Sequence, residues 1–410
     1  MIKIRLLLVF SLSFLLLLPS WANGQSVSLN TLPRLANMQQ AGLLLLDAQG
    51  EPLISKQASQ LFVPASTTKL VTAYLALSHW GEAHQFKTDF FLQSINSKTI
   101  LWVKGYGDPF LISEELLIIA QQLTERLTQQ GLQRIDEIRL DTTVFSNDLM
   151  LPGTSQSDNP YDAVPSAIAA NFNTLYLMKH SGQLVSAEAQ TPLTPLALEV
   201  GQSLTSKKQR INLGADPKVG QRYFAELLAE FLRQQGVEVG ETITWGEVNP
   251  TLPRVYQHTN SHSLADIIRP MMKYSTNFIA NQLVLMMATE RYGAPATTSK
   301  VKQFFLEQLA SHFEWSGTLL EEGAGLSRNN RLSPEQLIDL LQAFKPWRDL
   351  LPEIETGVMA KSGSLIGVST LAGYILQDQD WLPFALMMNE RAPYRYRNKV
   401  ARQLQAELNR

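Results

Sequence analysis

The feature that most constrains this chain is the placement of its strand-like runs, which lie at opposite ends. Residues 41–47 form an apolar run that stops at Asp47-Ala48-Gln49-Gly50 and resumes over residues 52–55, the pattern of a β-hairpin. Far along the chain, residues 357–363, 369–376 and 382–388 read as three further strands. A lone hairpin is marginal in water, and its edge groups need partners. The economical solution is one sheet assembled from both ends, with the intervening helices packed on it: an α+β fold.

The segments between carry helical spacing. Pro64 precedes residues 65–77, where Leu70, Ala73, Tyr74 and Leu77 recur on one helical face, so Ser66 stands at the start of a buried helix. Residues 264–292 are helical in pattern but contain Pro270, which predicts two helices broken near 270–276. Ser333-Pro334-Glu335-Gln336 has the form of a capping box with proline at the first helical position, opening a helix to about residue 344. Residues 86–254 have a different texture. Short apolar runs such as 99–103 and 138–140 alternate with turn signals, residues 181–220 are polar and irregular, and residues 223–234 form an amphipathic helix. This predicts a catalytic unit of residues 23–85 and 255–410 interrupted by an inserted mixed region, 86–254. A basic helix over residues 395–408, with Arg395, Arg397, Lys399 and Arg402, closes the chain. It either touches anionic lipid or packs on the sheet through Val400, Leu404 and Leu408.

The first 22 residues stand apart. Lys3 and Arg5 precede a nearly unbroken apolar stretch over residues 6–18, and Pro19-Ser20-Trp21-Ala22 supplies small residues before a cleavage point. This is the pattern of a secretory signal peptide, with an uncleaved anchor as the alternative. It predicts export, with the mature chain in the periplasm. The 410 residues include no cysteine, which excludes disulfides, a catalytic thiol and a lipid anchor on an N-terminal cysteine. With Lys3 and Arg5 set aside, the 35 basic residues become 33 against 37 acidic, a net of −4 that gives nucleic acid no basic surface. His258 and His262 are four apart but lie in no HExxH pattern, so no metal or other cofactor is expected.

Three short motifs carry chemistry. Ser66-Thr67-Thr68-Lys69 puts a serine and a lysine three apart, on one face of a helix. A serine hydroxyl needs a base before it is a nucleophile, and a lysine serves once burial or a nearby cation lowers its pKa. At a helix start the Ser66 N–H is also free to face a developing oxyanion. Ser275-Thr276-Asn277 falls at the expected helix break; its serine can relay a proton to a leaving amine and its asparagine can orient a lysine. Lys361-Ser362-Gly363-Ser364 lies on a strand. Its lysine can supply a cation beside the site, Gly363 lets a substrate backbone approach closely, and the Ser364 N–H can complete an oxyanion hole. Each motif alone is common; their order and settings match the set used by penicillin-binding proteins and class A β-lactamases.

The chain resembles the low-molecular-mass penicillin-binding proteins that act as D-alanyl-D-alanine carboxypeptidases and endopeptidases, peptidase family S13. The resemblance rests on residues 64–69, Gly105-Tyr106-Gly107-Asp108-Pro109, Tyr161-Asp162-Ala163 leading to Asn171-Phe172-Asn173, Lys273-Tyr274-Ser275-Thr276-Asn277, Gly325-Leu326-Ser327-Arg328 to Pro334, and residues 360–374. It implies a transpeptidase-like fold with a domain inserted between the first two motifs. It also implies that peptidoglycan stem peptides acylate Ser66 and that β-lactams inhibit covalently. Arg328 would then face a carboxylate of the substrate side chain or tie a loop, and Asp158 would face an amine of the stem peptide. The third motif reads K-S-G-S where the family usually has K-T-G-T; both hydroxyls are kept. Residues 174–220 are short for the family's insertion. A serine β-lactamase is the first rival, but no E-x-x-L-N stretch stands between Lys69 and Ser275. An inactive wall-binding homologue is the second, and the intact motif residues argue against it. Oligomeric state and the choice between carboxypeptidase and endopeptidase are not written in the sequence.

Overall fold

The computed structural model describes residues 27–315 and 317–410. The leader pattern at residues 1–22 lies outside the described residues. Strands β1 (Ala41–Leu46), β2 (Pro52–Lys56), β3 (Glu353–Glu355), β4 (Val358–Leu365), β5 (Val368–Gln377) and β6 (Asp380–Met388) form one sheet in the order β3-β4-β5-β6-β1-β2. The two ends of the chain meet where β1 pairs antiparallel with β6. The α+β class and the two-ended sheet are as expected.

Side-chain alternation divides this sheet between two layers. Leu43 and Leu45 of β1, Val358 and Ala360 of β4, and Leu371 and Ile375 of β5 face the C-terminal helix, which lays Val400, Leu404 and Leu408 on them. Leu44 and Leu46, with Ala372 and Tyr374, face the other way into a larger helical core. A strand covered on both faces reads as continuous apolar sequence, which explains why all six residues of β1 are buried.

The helical layer contains α1 (Thr68–Trp80), α2 (Leu264–Tyr274), α3 (Asn277–Tyr292) and α4 (Pro334–Phe344); α5 (Tyr396–Leu408) is the helix on the opposite face. α4 opens with the expected capping box between Ser333 and Gln336. The α2–α3 break falls within the expected interval, but its cause differs. Pro270 sits inside α2, which continues past it because Ile267, Ile268, Met271 and Met272 are all buried in the core. The chain turns instead at Ser275, whose φ of 58° is left-handed.

The inserted region carries a five-stranded sheet, Arg254–Thr259, Lys87–Ile95, Lys98–Gly105, Arg134–Asp141 and Glu238–Trp245 in spatial order, and a separate three-stranded sheet. Its last strand in chain order, Arg254–Thr259, pairs with Lys87–Ile95 and lies almost wholly beyond residue 254, where the sequence reading ends the insertion. Residues 181–220 are more ordered than expected. Gln183–Ser186 and Lys208–Asn212 flank Thr174–His180, and Thr194 caps a helix over Pro195–Gly201. These strands are short and largely half-exposed, so no apolar alternation announces them. Among the described residues no helix is long and apolar enough to cross a membrane.

Candidate active site

The site is built around a tight turn before α1. Ala65–Thr67 form one turn of 3-10 helix, and Ala65 takes a left-handed φ of 48°. Such a conformation costs on the order of 1 kcal/mol for a residue with a Cβ, so neighbours must hold it. Thr67 and Thr370 both donate through Oγ1 to the Pro64 carbonyl, at 2.7 and 2.8 Å. Gly325, at φ +85°, packs so closely that any side chain there would collide with the Ala65 carbonyl. A Cβ on Gly363 would lie 2.8 Å from Ser66 N and 2.9 Å from Pro64 O. The close approach at Gly363 is thus made by the chain's own Pro64–Ser66 segment, where the sequence suggested a substrate backbone.

The turn aims Ser66 at Lys69. Lys69 is fully buried, with Nζ 3.3 Å from Ser66 Oγ. It donates to Asn277 Oδ1 at 2.7 Å and to the Ala324 carbonyl at 2.7 Å. Burial lowers its pKa to about 7, partly opposed by the negative charge of Glu322. A neutral amine has two N–H bonds and one lone pair. The two carbonyl oxygens take both N–H bonds, and the lone pair is left for the Ser66 hydroxyl. α1 and α3 are therefore registered so that the amine is satisfied in the form able to accept a proton.

A second lysine stands across the cleft. Alternation on β4 puts Lys361 on the face opposite Ala360, toward the helices, where it is buried. Its Nζ donates to Ser275 Oγ at 2.9 Å and to the Ser362 carbonyl at 2.7 Å. Burial, followed by the charges of Lys69 and Arg397, holds its pKa well below the usual lysine value. The left-handed turn at Ser275 brings that hydroxyl to Lys361, while Asn277 at the first position of α3 reaches Lys69 and donates through Nδ2 to the Tyr161 carbonyl at 2.9 Å. The outer edge of β4 is open beyond β3. Ala360 N donates outward to the Pro352 carbonyl, and backbone alternation sends the N–H groups of Ser362 and Ser364 to that same edge.

The structure thus joins Ser66, Lys69, Ser275, Asn277 and Lys361 in one cleft. The remaining sequence candidates lie around it. The guanidinium of Arg328 is exposed and donates to the Ile366 carbonyl at 2.7 Å, tying its loop to the β4–β5 turn. Asp158 is exposed and lines a cavity of about 170 Å³ with Asp162, in the loop that carries Tyr161. Sequence reasoning missed Glu322. This fully buried carboxylate accepts from the N–H groups of Ala324, Gly325, Leu326 and Ser327, at 2.8 to 3.2 Å, and from Asn330 Nδ2 at 2.9 Å. It shapes the loop whose Ala324 carbonyl holds Lys69 and whose Gly325 backs Ser66. The available signal was an acidic residue directly before Gly323-Ala324-Gly325.

A serine on the turn that opens a helix, with a buried lysine beside it and a second lysine on a facing strand, is an arrangement in which the serine can be made nucleophilic. The sequence profile of the D-Ala-D-Ala carboxypeptidase 3 (S13) family matches residues 26–196 and 188–353. The chain belongs to this family of serine-type peptidases. Among its relatives, the D-alanyl-D-alanine carboxypeptidase DacB of Haemophilus influenzae is 26% identical, covering 89% of this chain and 88% of that protein. A D-alanyl-D-alanine carboxypeptidase of Actinomadura sp. is 25% identical, covering 85% of this chain and 77% of the relative. The crystal structure of penicillin binding protein 4 (dacB) from Haemophilus influenzae shares the fold at a TM-score of 0.72 and 20% identity, over 92% of this chain and 97% of that one. A second structure of that protein, complexed with a β-lactam, superposes at a TM-score of 0.67.

Proposed function

We propose that this chain cleaves peptides ending in D-Ala-D-Ala, the stem peptides of peptidoglycan, through an acyl-enzyme on Ser66, and that it acts outside the cytoplasm. The observation that carries the reading is the environment of Lys69: two carbonyl oxygens accept from its Nζ at 2.7 Å each, and Ser66 Oγ stands 3.3 Å away, where the neutral amine would present its lone pair. Ser66 gives its proton to Lys69 as Oγ bonds to the penultimate D-Ala carbonyl carbon. The N–H groups of Ser66 and Ser364 hold the oxyanion. The intermediate collapses with cleavage of the C–N bond. The leaving amine takes a proton from Ser275 Oγ, which Lys361 orients from 2.9 Å, and the proton that Lys69 took from Ser66 passes to Ser275, so that both groups end neutral. Water then attacks the ester and frees Ser66, with release of the shortened peptide.

A β-lactam presents the same amide in a ring, so opening it leaves the acyl group on Ser66 and retains the leaving amine. Glu322 supports slow release of that adduct, because its oxygens are engaged by five N–H donors and it is not placed to activate water. The test is a time course with fluorescent penicillin. A long-lived label on the wild-type protein, absent from Ser66→Ala, is expected. Rapid loss of the label would indicate a β-lactamase instead, and no label at all would indicate an inactive wall-binding protein.

A further inference from the structure

Tyr161 and Asp162 have no part in the proton transfers above. They lie on a turn of 3-10 helix, Pro160–Asp162, in a loop of the inserted region that borders the cleft. The Tyr161 carbonyl accepts from Asn277 Nδ2 at 2.9 Å, and Asn277 Oδ1 accepts from Lys69 Nζ at 2.7 Å. A backbone carbonyl only accepts, so the amide nitrogen must face Tyr161 and the amide oxygen must face Lys69. The backbone at Tyr161 thereby selects which end of Asn277 meets the base. A reversed amide would aim an N–H at Lys69 and take the lone pair that Ser66 needs. Asn277 is buried, so withdrawing the Tyr161 carbonyl would strand its Nδ2 donor and favour that reversal.

The position of that carbonyl depends on the residue after it. Asp162 is buried, and its carboxylate accepts from Ser155 N at 3.0 Å and from the hydroxyls of Ser155 and Ser157. A buried carboxylate is costly unless its oxygens are hydrogen-bonded, and here every one of these donors comes from the same short loop. The three bonds draw residues 155–157 onto the turn that carries Tyr161. Asn212 ties the loop from its other side: Nδ2 donates to the carbonyls of Ser157 and Asn159, the latter at 2.9 Å, and its N–H donates to the Asp158 carbonyl at 3.2 Å. Among the described residues Asp162 makes no hydrogen bond to Ser66, Lys69, Ser275, Asn277 or Lys361. Its link to them runs through the backbone of Tyr161.

We propose that Asp162 is a positioning residue: by closing the 155–162 loop it holds the Tyr161 carbonyl on Asn277, which keeps the amide oxygen on Lys69 and the lysine lone pair free for Ser66. The proposal rests on the acyl-enzyme reading above. It gives the inserted region a part in the chemistry, through a residue outside the three motifs.

The test uses the mature wild-type protein, D162A and D162N. Stopped-flow labelling with fluorescent penicillin between pH 5 and pH 8 gives the acylation rate constant and its acid limb, the end point gives the fraction of molecules that label, and thermal melting checks folding. D162A is expected to acylate roughly 10- to 100-fold more slowly per labelled molecule, the scale of a misplaced catalytic group. Its acid limb should also move above the wild-type position near 7, because an open loop admits water to Lys69 and weakens the burial that lowers its pKa. Among the described residues Glu322 and Lys361 are the charges that bear on Lys69, and neither substitution touches them. D162N, which keeps one acceptor oxygen, should show a smaller slowing and a limb moved in the same direction. A purely structural role would lower the labelled fraction and leave both the rate constant and the limb where they are, and that result in D162A would overturn the proposal. Should D162A fail to fold, D162N decides alone, and an unmoved rate constant and limb there overturn it. A wild type that takes no label and releases no D-Ala from a peptide ending in D-Ala-D-Ala would sink the acyl-enzyme reading and this proposal together. A labelled wild type with unmoved variants would sink only the role of Asp162.

Discussion

Lys69 Nζ and Asn277 Oδ1 lie 2.7 Å apart although 208 positions separate them in the chain. The contact locks the start of α3 to the start of α1 and occupies one of the two N–H bonds of a neutral lysine. Removing it frees the amine to rotate away from Ser66. Asn277→Ala should lower the acylation rate by a β-lactam about 100-fold, the usual scale for misplacing a catalytic base. Stopped-flow acylation measures this. A loss of less than threefold would show that the Ala324 carbonyl alone suffices to orient Lys69.

The pKa of Lys69 fixes the acid side of the pH profile. Burial brings it down to about 7. Only the neutral amine can accept the Ser66 proton, so the active fraction is nearly complete above that value and falls about tenfold per pH unit below it. Acylation rates between pH 5 and pH 8 should therefore bend near 7. A profile flat down to pH 5 would mean that another group takes the proton.

Part of this site was legible in the sequence, and the reasons differ by residue. Lys69 three places after Ser66, and Lys361 on a strand, are local patterns whose geometry follows from helical and strand periodicity. The capping box at Ser333 and the strands at both ends were legible for the same reason. The sequence places Ser275 near a break but points to Pro270 as its cause; the left-handed backbone at a serine is imposed by packing that no local pattern encodes. Glu322 was invisible because most of its partners are backbone N–H groups that converge only once the loop has folded. Arg397 was visible as one charge of a basic helix, and only the fold brings it to β4.

Gly325 should tolerate no side chain. Its φ of +85° is left-handed, and a Cβ would collide with the Ala65 carbonyl and lie 3.0 Å from Ser66 N. The neighbour is backbone already held by hydrogen bonds to Pro64, so it cannot move without shifting the nucleophile. Gly325→Ala should destabilise the protein by about 2–4 kcal/mol through strain and steric overlap and abolish labelling of Ser66. Denaturant unfolding and penicillin labelling read the two effects. Wild-type stability together with wild-type labelling would contradict the packing described for the turn.

Glu322 makes two separable contributions, and Glu322→Gln distinguishes them. An amide has one carbonyl oxygen, so it can accept only part of what the carboxylate accepts from four backbone N–H groups and Asn330. Losing one or two charge-assisted hydrogen bonds in a buried loop should cost about 2–4 kcal/mol of stability. The second contribution is electrostatic. The negative charge of Glu322 raises the pKa of Lys69 against the larger lowering by burial. Neutralising it removes the opposing effect, so the pKa of Lys69 falls further and the neutral base persists to lower pH. The acid limb of acylation in Glu322→Gln should therefore move below its wild-type position near 7, even as the protein becomes less stable. A shift toward higher pH would contradict the sign of this coupling. A stability loss with an unmoved limb would mean that Glu322 acts on the loop alone and that Lys69 does not sense its charge.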